Sequence, residues 1–159
     1  MKQTSLAKWL KVILFGVGVC GMVVYALVLP KVGQELIDGR EELKKYFWPW
    51  LVFLWGSGIP CYVVLALGWK IADNIGADRS FSFANAKLLK GIAGLAAGDA
   101  AYFFLGNLVF LLLDINHPGV VLFSLIVEFG GVAVAVAAAA LSHLVQKAAA
   151  LQEQSDLTI

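Results

Sequence analysis

Four long apolar runs dominate the chain, at residues 12–29, 47–69, 92–113 and 120–141. A helix needs about 20 residues to cross the ~30 Å hydrocarbon core of a bilayer, and each run approaches or exceeds that length. The first, VILFGVGVCGMVVYALVL, has 18 residues without a charge and follows Lys2, Lys8 and Lys11. A secretory signal also opens this way, but its apolar core runs only about 7–15 residues and its cleavage site carries small residues. YALVLP does not fit such a site, so the run reads as a retained anchor. In the second run Pro49 falls in the first turn, where a missing N–H costs little. Pro60 lies mid-span and predicts a kink or a local break. Only DINHPG separates the third and fourth runs, so these two helices form a tight antiparallel hairpin.

The polar stretches between and after the runs carry their own patterns. KVGQELIDGREELKKYFW alternates acids and bases, and the Glu41–Lys45 spacing of i,i+4 predicts a short surface helix. KIADNIGADRSFSFANAKLLKG reads as a turn and then a helix start, with Ser82 as N-cap and Phe81 as the apolar residue before it. After the fourth run, Leu141, Leu144, Val145, Ala148 and Leu151 recur at helical spacing, and no Gly or Pro interrupts. A tail helix over 142–154 is predicted, with SDLTI after it. Its stripe would face the protein's own loop, the bilayer surface or a partner.

These elements predict an all-α membrane protein of one domain, residues 1–159, built as a bundle of four transmembrane helices. Orientation follows from Lys and Arg in the short connections. With both termini inside, one side holds Lys2, Lys8, Lys11, Lys70, Arg79, Lys87, Lys90 and Lys147, and the other holds Lys31, Arg40, Lys44 and Lys45. The excess favours an N-in, C-in topology, with the fourth helix extending into the cytoplasm.

Composition agrees and removes other classes. Sixty per cent of residues are apolar and 14% charged, against roughly 25% charged in soluble domains. A net charge of +1 without a basic run argues against direct nucleic-acid binding. Cys20 and Cys61 lie inside apolar runs, outside any CxxC or His-containing metal pattern. The chain shows no nucleophile–base pair, no HExxH and no phosphate-cradling loop, so an enzyme is not expected and no cofactor or metal is implied.

The candidate chemistry sits in the apolar runs. A carboxylate at mid-bilayer is unfavourable by about 2.5–3.5 kcal/mol, so Asp99 and Glu128 are expected to face the bundle interior. Asn107 is expected at a depth similar to Glu128, where an amide–carboxyl hydrogen bond would cross the hairpin. Asp99, Asn107 and Glu128 thus form a candidate intramembrane polar site, either a relay or ligand site or polar glue satisfied by Asn107, Tyr102 or Ser124. Gly94 with Gly98, and Gly131, Ala135 and Ala139, add small-residue steps that let helices approach closely.

DRSFSFANAKLLKGI before the third run, together with LSHLVQKAAALQEQSDLTI, resembles a family of small bacterial membrane proteins, the domain-of-unknown-function family numbered 2975. The shared features are an acidic-Arg-Ser-Phe-Ser step leading to an Asn, here Asp78, Arg79, Ser80, Phe81, Ser82 and Asn85. A tail with Ala149, Leu151, Glu153, Asp156, Leu157, Thr158 and Ile159 completes them, with Gln154 and Ser155 departing from the commoner Glu-Asn. The resemblance implies a multi-pass protein of the bacterial inner membrane. Its genes often neighbour a small helix-turn-helix regulator of the XRE class, which implies a regulatory or sensing protein whose cytoplasmic face holds such a partner. Asp78, Arg79, Ser82, Asn85, Leu151, Glu153, Asp156, Leu157, Thr158 and Ile159 would form the surface for that partner or a dock for the tail itself. The alternatives from other classes are a small oligomeric transport or resistance protein using the intramembrane acids, and a structural subunit of a membrane complex.

Overall fold

A computed structural model describes residues 3–156 and shows an all-helical chain. Four helical stretches are long and apolar enough to cross a membrane: Gln3–Ile37, Glu41–Gly76, Phe83–Leu112 and Pro118–Ser155. Their elements are α1 (Gln3–Val23), a π-helical turn (Val24–Val28), α2 (Leu29–Ile37), a 3₁₀ helix (Glu41–Tyr46), α3 (Phe47–Gly76), α4 (Phe83–Leu112) and α5 (Pro118–Asp156).

The first stretch continues past Pro30, where the missing N–H would ordinarily break the ladder. Here the ladder widens, and the N–H of Leu29 bonds to the carbonyl of Val24, five residues back. In that register the carbonyl without a donor at Pro30 is that of Tyr25, and the indole Nε1–H of Trp55 donates to it at 2.9 Å. The connector after Ile37 also departs from the expected surface helix. It forms a 3₁₀ helix in which Glu41 pairs with Lys44 rather than Lys45. Three residues per turn eclipse positions i and i+3, so the i,i+4 partner is carried away. Lys45 lies over the Tyr46 ring instead, 4.7 Å from its centroid. Pro60 sits inside α3 without interrupting it.

The helices stand in an open row, not in the closed bundle expected. Among the described residues α1 packs on α3, α3 on α4 and α4 on α5, while α5 approaches no other helix by its backbone. The α4–α5 hairpin is the most extensive seam. On α5 the seam is Ser124, Glu128, Gly131, Ala135, Ala138, Ser142, Val145 and Ala149, in alternating steps of four and three residues. On α4 it runs through Ala86, Leu89, Ala93, Ala96 and Ala100, in steps of three and four. Such spacing averages 3.5 residues, the repeat that keeps two helices in register along their whole length. A Cβ on Gly131 would meet that of Ala100 at 3.3 Å, and Ser142 Oγ donates to the Ala86 carbonyl at 2.7 Å.

This seam corrects two expectations. Ala138, not Ala139, follows Ala135 into the interface. Of the expected tail stripe only Val145 is buried, while Leu141, Leu144 and Leu151 are exposed. Within the membrane-spanning part of the seam, lipid solvates large aliphatic side chains as well as another helix does, so close packing selects Gly131, Ala135 and Ala138.

The other seams use glycine under aromatic rings. Phe53 of α3 packs against Trp50, Tyr102, Phe103 and Phe110 and lies over Gly106, where a Cβ would collide with its ring. The Tyr102 hydroxyl lies over Gly56 in the same way and donates to the Phe53 carbonyl at 3.0 Å. Between α1 and α3, Tyr62 donates to the Gly18 carbonyl at 2.8 Å, and Lys11 pairs with Asp73. By contrast Gly94 and Gly98 have no neighbour within 4 Å of a would-be Cβ, so their step is not used within the chain.

Candidate functional site

The connector between α3 and α4 is built around one buried amide. Asn85 is 1% exposed. Its Oδ1 accepts from Asn74 Nδ2 at 2.7 Å, and its Nδ2 donates to the carbonyls of Arg79 at 3.2 Å and Ser80 at 3.0 Å. Ser82 caps α4 as expected, accepting from the Asn85 backbone N–H at 3.3 Å. Asp78 is left-handed, with φ of 59°. The Arg79 N–H reaches the Asn74 carbonyl at 2.9 Å and the Asp78 N–H reaches Ile75 at 3.1 Å. This is the Schellman closure of a helix C-terminus, with Asp where glycine is usual. Asp114 repeats it after α4, with φ of 57° and the Ile115 N–H on the Phe110 carbonyl at 3.0 Å.

Asp78, Ser82 and Asn85 therefore serve the turn itself. Both amide hydrogens of Asn85 are taken by connector carbonyls. The Arg79 side chain is exposed beside Phe81, which is 61% exposed. Ser80 donates to Gln3 Oε1 at 2.9 Å, which brings the start of α1 to this same end.

α5 passes this connector. At 39 residues it is about 58 Å long, roughly twice the hydrocarbon core. Ser142 already meets Ala86 in the first turn of α4, and the last buried position is Ala149. Leu151 and Glu153 beyond it are exposed. The side chain of Asp156 and all of Leu157, Thr158 and Ile159 lie outside the described residues.

Among the described residues no hydrogen bond joins the three intramembrane polar residues to one another. Asn107 donates to the Phe103 carbonyl at 2.9 Å, and Asn116 donates to Asn107 Oδ1 at 3.1 Å, so this amide secures the hairpin turn. Glu128 lies in the α4–α5 seam, where Ser124 Oγ meets its Oε1 at 3.1 Å. Gly131 sits between Ala96 and Ala100, which brings Glu128, one turn away, nearer Ala100 than Asn107. Asp99 faces α3, with Cys61 Sγ 3.8 Å from its Oδ2, and its Oδ1 is buried without a partner. Beside Cys61, one turn along α3, Ser57 donates to the Leu54 carbonyl at 2.9 Å, which leaves the Tyr25 hydroxyl to donate to Ser57 Oγ at 3.3 Å.

Sequence reasoning did not connect Tyr25, Ser57 and Cys61 with Asp99. The available signal was the i,i+4 spacing of Ser57 and Cys61 on one face of α3. Cys20 and Cys61 are both free thiols on separate helices, and His117 immediately precedes α5 while His143 lies well along it.

A family model matches residues 31–159, from the start of α2 through the tail, and its description is "Protein of unknown function (DUF2975)". The chain belongs to this family. It is also similar to the uncharacterized membrane protein YoaS of Bacillus subtilis (strain 168), at 26% identity over 153 residues, covering 95% of this chain and 96% of that protein. No solved structure matches. The chain is a membrane protein, and the matched family region contains both the buried Asn85 turn and the α5 extension.

Proposed function

We propose that this DUF2975 protein is a non-enzymatic protein of the bacterial inner membrane, with both termini in the cytoplasm, that works by holding a cytoplasmic partner on the far end of α5. A small helix-turn-helix regulator of the XRE class is the partner with the best fit to the resemblance. The observation that carries this reading is the length of α5. It outruns both the bilayer and its pairing helix and displays Leu144 and Leu151, at 62% and 66% exposure. The excess of Lys and Arg at this end supports a cytoplasmic placement.

The polar residues of the connector shape the surface rather than contact the partner. Asn85 and Asp78 set the turn that carries the exposed Phe81 and Arg79. The transport reading retains one supporting observation, the unpartnered Asp99 Oδ1. That Asp99, Asn107 and Glu128 share no hydrogen bond among the described residues favours the partner-holding reading over it.

The test is a pull-down from solubilised membranes using the full chain and a variant lacking residues 151–159, with the captured proteins identified by mass spectrometry. A regulator retained by the full chain and lost with the deletion supports the proposal. Loss of activity in Asp99→Asn or Glu128→Gln, with the deletion variant fully active, would favour transport.

A further inference from the structure

At the end of the row opposite the Asn85 turn, a cavity of about 540 Å³ opens between the α2–3₁₀ connector and the α4–α5 hairpin. Its volume falls inside the roughly 300–1,000 Å³ typical of small-molecule sites. The chain builds it deliberately. Trp50 Nε1 donates to the Ile115 carbonyl at 2.9 Å, tying α3 to the hairpin, and the Trp50 and Phe110 ring centroids lie 4.9 Å apart. The floor is aliphatic, with Leu51 and Leu54. The rim is charged, with Arg40 from one connector and Asp114 from the other.

These rim charges are uncommitted. The ion pairs among the described residues are Lys11–Asp73 and Lys44–Glu41, so Arg40 and Asp114 line one rim without pairing with each other. His117, also on the rim, accepts the Gly119 N–H at its Nδ1, at 3.0 Å, which leaves Nε2 free toward a ligand. The Schellman turn at Ile115 fixes Asp114 in place. A helix-end cavity of a membrane-spanning chain, apolar below and oppositely charged above, matches the cross-section of a phospholipid at the interface.

We infer that this cavity binds a membrane phospholipid with a phosphoethanolamine headgroup. The phosphate lies on Arg40 and the His117 Nε2–H, the ammonium lies on Asp114, and an acyl chain enters over Leu51 and Leu54. A purely anionic headgroup leaves Asp114 unpaired and repels it. A phosphocholine headgroup carries a cation without N–H donors, so it loses the hydrogen bonds to Asp114.

The test is lipid retention by the delipidated full chain in detergent, read by native mass spectrometry, with phosphatidylethanolamine, phosphatidylglycerol and phosphatidylcholine of matched acyl chains. The wild type is expected to bind phosphatidylethanolamine about tenfold more tightly than either competitor, the scale of one charge-assisted hydrogen bond. Arg40→Gln weakens all three lipids, since each carries the phosphate, whereas Asp114→Asn removes the preference. Asparagine tolerates the left-handed backbone, so the second variant keeps its turn. Soluble phosphoethanolamine leaves the bound lipid in place, because the acyl chain anchors it. Equal binding of the three lipids by the wild type, preference for phosphatidylglycerol, a preference that survives Asp114→Asn, or displacement by the soluble headgroup would each overturn the assignment.

Discussion

The Nδ2 of Asn74 donates to the Oδ1 of Asn85 at 2.7 Å, joining the last turns of α3 to the first turn of α4 through a side chain that is 1% exposed. That bond, with the two donations from Asn85 to the connector carbonyls, makes the turn a closed polar unit inside an otherwise apolar junction. Asn85→Leu strands Asn74 and two carbonyls at once. Unsatisfied buried groups cost about 1–3 kcal/mol each, so a loss of at least about 2 kcal/mol is expected. Denaturation of the purified protein in mixed micelles measures it, and Asn85→Asp is expected to fall between wild type and Asn85→Leu.

Asp78 gives a cleaner separation of shape from recognition. Its role is the left-handed backbone at φ of 59°, so Asp78→Gly is expected to keep stability and partner binding alike. Asp78→Val puts a branched side chain in the same conformation and is expected to lose about 1–2 kcal/mol. Should Asp78→Gly retain stability yet lose the partner, the carboxylate is itself a contact and the assignment of Asp78 to the turn alone is wrong.

At the π-helical turn, Trp55→Phe removes the donor that replaces the N–H absent from Pro30. Hydrogen bonds within membranes contribute about 0.6 kcal/mol on average and up to about 1.7. The upper part of that range is expected here, because the orphaned Tyr25 carbonyl has no other donor along its helix. Pro30→Ala restores a backbone N–H, so the double variant is expected to lose less than the sum of the single changes. A double-mutant cycle in the same micelles reads the coupling.

Phe53 and Gly106 test the aromatic seam. Gly106→Ala places a methyl where the Phe53 ring lies, and overpacking of this kind costs about 1–3 kcal/mol. The same change at Gly94, which has open space around it, is expected to leave stability within about 0.5 kcal/mol. Comparing the two midpoints distinguishes a packed glycine from an idle one.

Much of the fold was legible because a bilayer demands long apolar helices, and the runs around Val12, Leu51, Ala100 and Val127 supply them. The hairpin was legible too, since DINHPG leaves no room for another arrangement. The packing was harder to read. Leu141, Leu144 and Leu151 form a convincing stripe by the logic of water, where large apolar residues seek cover. The face that packs on α4 instead runs through Ala138, Ser142, Val145 and Ala149, and it leaves those leucines outside. The candidate site divides along the same line. Ser82 was readable as a cap, because capping depends on local sequence. The burial of Asn85 and the approach of Tyr25 to Ser57 depend on helices brought together by packing, which no local pattern encodes. The helix beyond Pro30 was missed because its rescue comes from Trp55, on a different helix.

The central claim is that the far end of α5 meets a cytoplasmic protein. Site-specific photo-cross-linking in living cells tests it most directly, with a benzophenone side chain at position 151 and, separately, at position 122. Leu151 and Leu122 are almost equally exposed, at 66% and 68%, so any difference reports their surroundings and not their accessibility. The account predicts a discrete protein adduct from position 151 and only lipid adducts from position 122. Lipid adducts alone from position 151 would contradict it.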